Sequence, residues 1–496
     1  MFEKASPESL GISSDRITKF IDKIEQRGAI MHSLLIVRHG KTVTENYWEP
    51  FNESFLHRMY SQTKSFVAIA IGLLEEEGKL TLDDKASDIF PDKIDTDISL
   101  HLRNQTIRQM LTMTTVGSPV DWFSESENKD RTHLYFNERN KAHPAGTTWA
   151  YDSSGSQVLC AIVERKAGMP LLDYLKLRLF DKMDCFKEAI ILKTRNDDSW
   201  GDSALLATSR DMACFAKLLM DGGIWEGERL INEKFVRDAT AKQVDNATSW
   251  FPSCFSHGYG YQIFRTEQNG FAFVGMGDQI TIALPEKDLI FVCNADHQGN
   301  GNIIRNLLIN YFFDIIVDGI SDHPLRENKA AQKRLAKRTQ NLKLRAACGL
   351  SDSPFRNELN RKKYVCESNP MGITEFSFTF SDDGRNGEFI YVNAQGEKSI
   401  PFGVNRNVFG SFPELGYSNE HGGARSDNGF KYKDAVSFAW LEEKKLMVFV
   451  QIIDKYFGLL SMIFAFRGEY VTASFTKVAE DFLNEYSGEL WGKALQ

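Results

Sequence analysis

Hydrophobic and polar positions follow two different periods near the start of the chain. Between Ser14 and Gln26, apolar residues recur at i, i+3, i+4 and i+7, which predicts an amphipathic helix. The next stretch, Leu34–Trp48, has two apolar runs on either side of a His-Gly-Lys turn, and this pattern predicts an antiparallel hairpin. The chain therefore begins with a helix followed by two strands.

The apolar pattern becomes almost continuous after Ser61. Residues Phe66–Leu74 are nearly all apolar, and the segment ends in an acidic run and Gly78. The segment is longer than a typical strand, and a helix that is apolar on all sides is a buried helix. We therefore predict a helix through the middle of the protein, with Ser61 at its N-terminus.

The pattern changes twice more before residue 320. Residues 83–220 favour helices and loops, and one of the helices stops at a Gly-Gly pair, which is typical of a C-terminus. Residues 259–296 form short apolar runs joined by turns, and residues 302–319 return to a helical pattern. This order predicts an α/β (α+β) fold, in which an antiparallel sheet is flanked by helices and accompanied by an all-helical lobe.

The last third of the chain has a different composition. Residues 326–345 are strongly basic, which favours a solvated helical linker, with a phosphate-binding patch as the alternative. Residues 346–496 alternate in period 2 and predict a mostly antiparallel, barrel-like β domain with a final helix near 477–487. The predicted domains are thus a catalytic domain over 1–325, the linker and the β domain.

Composition limits the classes of function. The 496 residues carry a formal charge of -8, with 42% hydrophobic and 25% charged residues, as in ordinary globular proteins. The mild acidity argues against a nucleic-acid partner. No apolar run is long enough for a membrane span, and the N-terminus lacks the features of an export signal, so we expect a cytoplasmic protein. Seven cysteines without C-x-x-C spacing predict neither disulfides nor a metal, and no cofactor is expected.

The first candidate for chemistry is the pair Ser61 and Lys64. Positions i and i+3 lie on the same face of a helix, so the two side chains can meet. A serine hydroxyl needs an adjacent base, and burial favours the neutral amine of a lysine that can act as one. The helix N-terminus also offers backbone N–H groups to an oxyanion. The alternative is that a four-residue S-x-x-K occurs by chance.

Two further segments carry candidate residues. Tyr151 and Ser153 stand in a loop that opens a helix, where a phenol could relay a proton, or where the tyrosine could simply pack. Gly275 and Met276 stand at the end of a strand, where a backbone N–H could complete an oxyanion hole, or where the chain could form a plain hairpin turn.

These motifs, in this order, resemble the serine β-lactamase and penicillin-binding protein superfamily. The S-x-x-K, the Y-x-S and the glycine-rich strand end are accompanied by similar strings over about residues 8–315, including TIRQMLTMTTVG, PAGTTWAYDSSGSQVL and ATSRDMACFAKLLMDGG. The sequence and spacing of these motifs are closer to class C β-lactamase-like serine hydrolases of the esterase and D-aminopeptidase branch. A β-rich tail like residues 346–496 accompanies some members of this group.

The resemblance implies a role for each candidate. It makes Ser61 the nucleophile, Lys64 its activating partner and Tyr151 the general acid and base. It also places Ser153 where substrate and the lysine are oriented. Gly275 and Met276 would line the strand that holds the substrate backbone.

The sequence departs from the family pattern in its third motif. Phe273 and Val274 precede Gly275 where the family usually has a cation, which in penicillin recognition meets the substrate carboxylate. This difference argues against penicillin-like substrates. Asp278 stands where similar sequences usually have glycine, and it could disfavour anionic substrates, bind a cationic group or serve as a turn residue.

The sequence therefore predicts a serine hydrolase that cleaves a small ester or amide through a Ser61 acyl-enzyme, with β-lactams and D-amino-acid peptides among the candidate substrates. The alternative is a catalytically silent, penicillin-binding-like sensor on the same fold. Aromatic residues in loops 115–145 and 240–258 favour an apolar acyl or aryl group in the substrate; they are Trp122, Phe123, Trp250 and Phe251.

Overall fold

The helices and strands of the protein are seen in a computed structural model. It describes residues 2–95, 97–117, 130–137, 143–247, 253–300, 302–414, 418, 420–421, 430–479, 483 and 486–495. The chain divides into two compact units. The first comprises residues 1–343 with 420–422, and the second comprises 344–419 with 423–496.

The first unit combines helices with a seven-stranded sheet. Its helices are α1 (Ser14–Gln26), α2 (Thr63–Glu76), α3 (Ala86–Ile89), α4 (Leu100–Arg103), α5 (Ile107–Leu111), α6 (Arg131–Asn137), α7 (Ser153–Ala167), α8 (Leu171–Leu175), α9 (Asp181–Met183), α10 (Ser209–Met220), α11 (Glu233–Thr240), α12 (Ile303–Tyr311) and α13 (Lys329–Thr339). Its strands are β1 (Glu3–Lys4), β2 (Met31–Arg38), β3 (Lys41–Tyr47), β4 (His57–Arg58), β5 (Ile190–Ile191), β6 (Leu205–Ala207), β7 (Ile224–Trp225), β8 (Glu228–Arg229), β9 (Phe264–Arg265), β10 (Phe271–Gly275), β11 (Gln279–Leu284) and β12 (Leu289–Ala295).

The main sheet has the strand order β1-β3-β2-β12-β11-β10-β9. All of its neighbours are antiparallel except β1 and β3, which are parallel. The hairpin predicted at Leu34–Trp48 is confirmed as β2 and β3, and α1 buries the predicted apolar positions against the sheet. The predicted fold class, an antiparallel sheet flanked by helices with a helical lobe, is confirmed.

Helix α2 is the centre of the helical part of this unit. Every residue from Thr63 to Leu74 is buried, which confirms the central buried helix. It packs against α7 and α8, and its apolar side chains join one core with those of α10 and the inner face of the sheet. A helix enclosed on all sides has little freedom to shift, so the residues at its N-terminus are held firmly.

The basic segment 326–345 contains α13, which packs against α1 within the first unit. Arg334 pairs with Asp15 at 2.8 Å, and Arg338 pairs with Asp22 at 2.7 Å. The positive charges therefore lie opposite acidic residues of α1.

The second unit is almost entirely β. It contains α14 (Arg356–Leu359) and the strands β13 (Tyr364–Cys366), β14 (Glu375–Phe380), β15 (Asn386–Asn393), β16 (Gly396–Val404), β17 (Val408–Ser411), β18 (Lys433–Glu442), β19 (Lys445–Ile453), β20 (Phe457–Arg467), β21 (Tyr470–Ala479) and β22 (Gly488–Ala494). They form one ten-stranded sheet, and an added parallel pairing of β16 with β18 closes it as a barrel. The prediction of a mostly antiparallel β structure in this part of the chain is confirmed.

The start of the helix predicted near 477–487 is wrong. Strand β21 continues to Ala479 and pairs with β20 over its whole length. The pairs of Lys477 with Leu460 and of Val478 with Leu459 carry the ladder past Phe475, where the sequence interpretation ended the strand.

Candidate active site

Ser61 lies in a short 3-10 turn, Tyr60–Gln62, immediately before α2. Tyr60 has a φ of 47°, in the left-handed region that non-glycine residues rarely adopt. Its ring is buried and lies under the guanidinium of Arg58, 4.5 Å from the ring centroid. Surrounding packing thus stabilises a backbone conformation that is costly on its own, and strain of this kind is common at functional sites.

The structure brings Lys64 to Ser61. The Lys64 amine donates to the Ser61 hydroxyl at 2.9 Å and to the backbone oxygen of Asp202 at 2.6 Å. Its side chain is only 1% exposed, whereas Ser61 is partly exposed. The amine is therefore shielded from water while the hydroxyl beside it remains accessible, as a nucleophile and its partner require.

Tyr151 lies across the same amine. The Lys64 nitrogen is 5.2 Å from the centroid of the Tyr151 ring, within the range of a cation–π contact. The ring stacks on Phe264 at 6.2 Å and meets Trp149 edge-on at 6.5 Å. Aromatic neighbours thus fix the orientation of the phenol, and the three predicted catalytic side chains form one cluster.

Ser153 is the first residue of α7, two residues after Tyr151. Among the described residues, no hydrogen bond joins its side chain to Lys64 or Ser61. The residue beside it, Asp152, caps the helix: it accepts from the Gly155 amide at 3.0 Å and from the Thr115 hydroxyl at 2.6 Å. Asp152 is therefore the residue of this loop that caps helix α7.

Gly275 ends β10 directly against the nucleophile segment. A Cβ atom at this position would lie 2.3 Å from the backbone oxygen of Met59, two residues before Ser61. Only glycine permits this approach. The following Met276 is 39% exposed, and its backbone oxygen accepts a hydrogen bond at 2.8 Å from Gln279, which is fully buried.

Asp278 is a buried turn residue. It has a φ of 71° and is 1% exposed. Its carboxylate meets Arg305 at 2.5 Å and His297 at 2.8 Å. Burial by itself raises the pKa of Asp278, but Arg305 and His297 outweigh it and lower the pKa below the ordinary value. The turn interpretation of Asp278 is therefore the one that its geometry favours.

Two charged residues near Lys64 had no signal in the sequence interpretation. Asp202 lies in the loop between β5 and β6, with Oδ2 3.7 Å from the Lys64 amine. Arg131, the first residue of α6, has Nη1 3.5 Å from the other oxygen, Oδ1. Neither residue belongs to a recognisable motif, because the chain folds them together from positions about 70 and 140 residues away from Lys64. The aromatic residues predicted at the cleft, Trp122, Phe123, Trp250 and Phe251, lie outside the described residues.

Comparison with known proteins agrees with this arrangement. The Beta-lactamase family model matches residues 17–309, more than half of the chain. The chain therefore belongs to the Beta-lactamase family, and it is a serine hydrolase. This confirms the family and the class of enzyme that the motifs predict.

Individual relatives are distant. A 6-aminohexanoate-dimer hydrolase from Paenarthrobacter ureafaciens is 23% identical over 311 residues, which span 58% of this chain and 79% of that protein. Penicillin-binding protein 4* of Bacillus subtilis is 28% identical over 141 residues, or 26% of this chain and 30% of that one. The solved structure of EstCE1, a hydrolase with promiscuous acyltransferase activity, has a TM-score of 0.50 at 14% identity and covers 60% of this chain and 99% of its own. This last similarity concerns the fold alone.

Within the described part of the chain, no helix combines the length and the apolar character needed to cross a bilayer.

Proposed function

We propose that the protein hydrolyses a small ester or amide through an acyl-enzyme on Ser61. The observation that carries this proposal is the 2.9 Å hydrogen bond from the buried Lys64 amine to the accessible Ser61 hydroxyl, beneath the Tyr151 ring. A hydroxyl in this position can lose its proton to an adjacent base as it attacks a carbonyl carbon.

The proposed reaction has two steps. Ser61 attacks the carbonyl carbon, and its proton passes through Lys64 and Tyr151 to the departing alcohol or amine. We place the oxyanion between the backbone N–H groups of Ser61 and Met276, and the close approach of Gly275 to Met59 supports this choice. A water molecule then attacks the acyl-enzyme, gives up a proton by the same route in reverse and releases the acid.

The substrate class is argued from what surrounds the strand end. Phe273 and Val274 are buried apolar residues at the position where the family usually offers a cation to a carboxylate. Asp278 and Arg305 pair with each other behind the turn. We therefore place the substrate among neutral esters and linear amides.

The test is active-site labelling with a fluorophosphonate, read by intact-protein and peptide mass spectrometry, together with turnover of nitrophenyl acetate. We expect one label at Ser61, and loss of both labelling and turnover in Ser61→Ala. The exposed Ser54 gives a matched control, and Ser54→Ala should retain both. Turnover that persists in Ser61→Ala would falsify the assignment, and a wild-type protein that neither labels nor turns over would favour a silent binding protein.

A further inference from the structure

The carboxylate of Asp202 lies between two cations at the base of the candidate active site. Its Oδ2 atom is 3.7 Å from the Lys64 amine, and its Oδ1 atom is 3.5 Å from Arg131 Nη1. The backbone oxygen of the same residue accepts from Lys64 at 2.6 Å. One residue therefore contacts the amine twice, once through the main chain and once through the side chain.

Burial strengthens the electrostatic interactions among these three side chains. The side chains of Lys64, Asp202 and Arg131 are 1%, 3% and 8% exposed. Charges interact much more strongly away from water than at the surface, and a buried carboxylate requires a positive partner. The Asp202 carboxylate has two such partners, Lys64 and Arg131. Each cation offsets part of the negative charge that acts on the other cation.

The surroundings of Lys64 add few other charges. Tyr151 covers the amine from one side. Behind Asp202, the guanidinium of Arg58 lies 4.6 Å from the centroid of Trp200, and that of Arg131 lies 4.8 Å from the same ring. Asp202 is thus the anion closest to the amine among the described residues, and Arg131 and Arg58 are the nearby cations.

The loop that carries Asp202 is clamped in place by α7. Gln157 accepts from the Gly201 amide at 3.0 Å and donates to the Ser199 carbonyl at 2.9 Å. Gly201 also lies so close to Cys160 that a Cβ atom would be 2.3 Å from its sulfur. The position of Asp202 is therefore fixed by contacts that do not involve Lys64.

We propose that Asp202 is a positioning residue and the counter-ion of Lys64, and that Arg131 balances its charge. The backbone oxygen of Asp202 directs the amine toward Ser61, and its carboxylate favours the ammonium form, which Arg131 opposes. Asp202 thereby holds the amine against Ser61 and offsets its charge. This proposal rests on the proposed function, because it assigns Lys64 to the reaction.

The test is the pH dependence of kcat/KM and of fluorophosphonate labelling in two variants. In Asp202→Asn, which removes the charge and keeps the shape, the limb of the profile that reports Lys64 should move to lower pH by about one unit or more. In Arg131→Gln the same limb should move to higher pH. The directions hold whether the reaction needs the amine or the ammonium. In Asp202→Asn, kcat should fall while KM stays within about threefold, since the Asp202 side chain is only 3% exposed.

The matched control breaks a different carboxylate–guanidinium pair. Arg210 binds the buried Glu45 at 2.6 Å, and Arg210→Gln should leave the midpoints of the profile unchanged. Unmoved limbs in both site variants, or shifts in the same direction, would overturn the proposal while leaving the role of Ser61 intact. If Asp202→Asn fails to fold, the upward shift in Arg131→Gln is still required. A wild-type protein without Ser61 labelling would instead refute the proposed function.

Discussion

The Lys64 amine and the Asp202 main-chain oxygen are joined by a 2.6 Å hydrogen bond, shorter than the 2.9 Å bond from the same amine to Ser61. The lysine is therefore oriented from two sides, by its own helix and by a loop from much later in the chain. The candidate active site depends on that loop as much as on the S-x-x-K motif.

Removing either proton-handling side chain should reduce turnover and spare the fold. We expect Lys64→Ala and Tyr151→Phe each to lower kcat/KM for an activated ester by about 10²–10⁴-fold, the usual scale for acid–base groups. Tyr47→Phe is the matched control, because Tyr47 donates to Glu45 at 2.7 Å in β3 and takes no part in the proposed reaction. A loss under about tenfold in either site variant would contradict its role.

The approach of the strand end to the nucleophile segment should be intolerant of a single methyl group. In Gly275→Ala, the new Cβ would lie 2.3 Å from the Met59 oxygen, so the strand end and the proposed oxyanion donor must move. We expect turnover to fall about 10²-fold, the scale for a displacement of about 1 Å. Gly78→Ala is the control: its φ of 68° costs ~1–2 kcal/mol of stability, but nothing lies near its Cβ, and turnover should persist.

The clamp on the Asp202 loop can be tested by a compensating pair. Gly201→Ala would place a methyl group 2.3 Å from the Cys160 sulfur, and overpacking of this kind costs about 1–3 kcal/mol. We expect lower thermal stability and slower turnover. Adding Cys160→Gly removes the sulfur and also the Cβ atom, which would lie 2.4 Å from the new methyl group, and should restore most of the turnover. A double variant as impaired as the single one would show that the contact is not what positions the loop.

A buried histidine pair should make the fold sensitive to acid. His32 Nδ1 and His57 Nε2 are 2.8 Å apart, and His57 Nδ1 donates to the Arg58 carbonyl at 3.0 Å, so His32 is the donor to His57. Burial lowers the pKa of His57 to about 3, from an ordinary value of 6.5, and lowers that of His32 as well. The unfolded chain therefore binds more protons than the folded one between these values.

The sign of the effect follows from linkage. The stability that the neutral pair contributes is fully present above pH 6.5 and is lost as the pH falls toward 3. Each proton adds a slope of about 1.4 kcal/mol per pH unit to the free energy of unfolding. Urea unfolding between pH 4 and pH 7 should show a smaller slope in His57→Gln, whereas the exposed His101→Gln should match the wild type. An equal slope in His57→Gln would disprove this account.

Local patterns were enough for the elements that carry the nucleophile. Helix α1, the β2–β3 hairpin, the buried helix α2 and the change to β structure after residue 346 all followed from periodicity, because burial of one face repeats at the period of the backbone. The pairing of Ser61 with Lys64 followed from the same geometry, since three residues make about one turn. The resemblance to the family was inferred from the order of several motifs along the chain.

Only the tertiary structure decided what surrounds that pair. Asp202 and Arg131 reach Lys64 through loop and helix packing that leaves no periodic trace, and Gly275 reaches Met59 across the edge of a sheet. Asp278, ambiguous as a residue type, became a buried turn residue because Arg305 and His297 pair with it. The sequence determined which residues could do chemistry, since hydroxyl and amine are properties of side chains. The fold determined which charges act on them, because electrostatic effects depend on distance and burial.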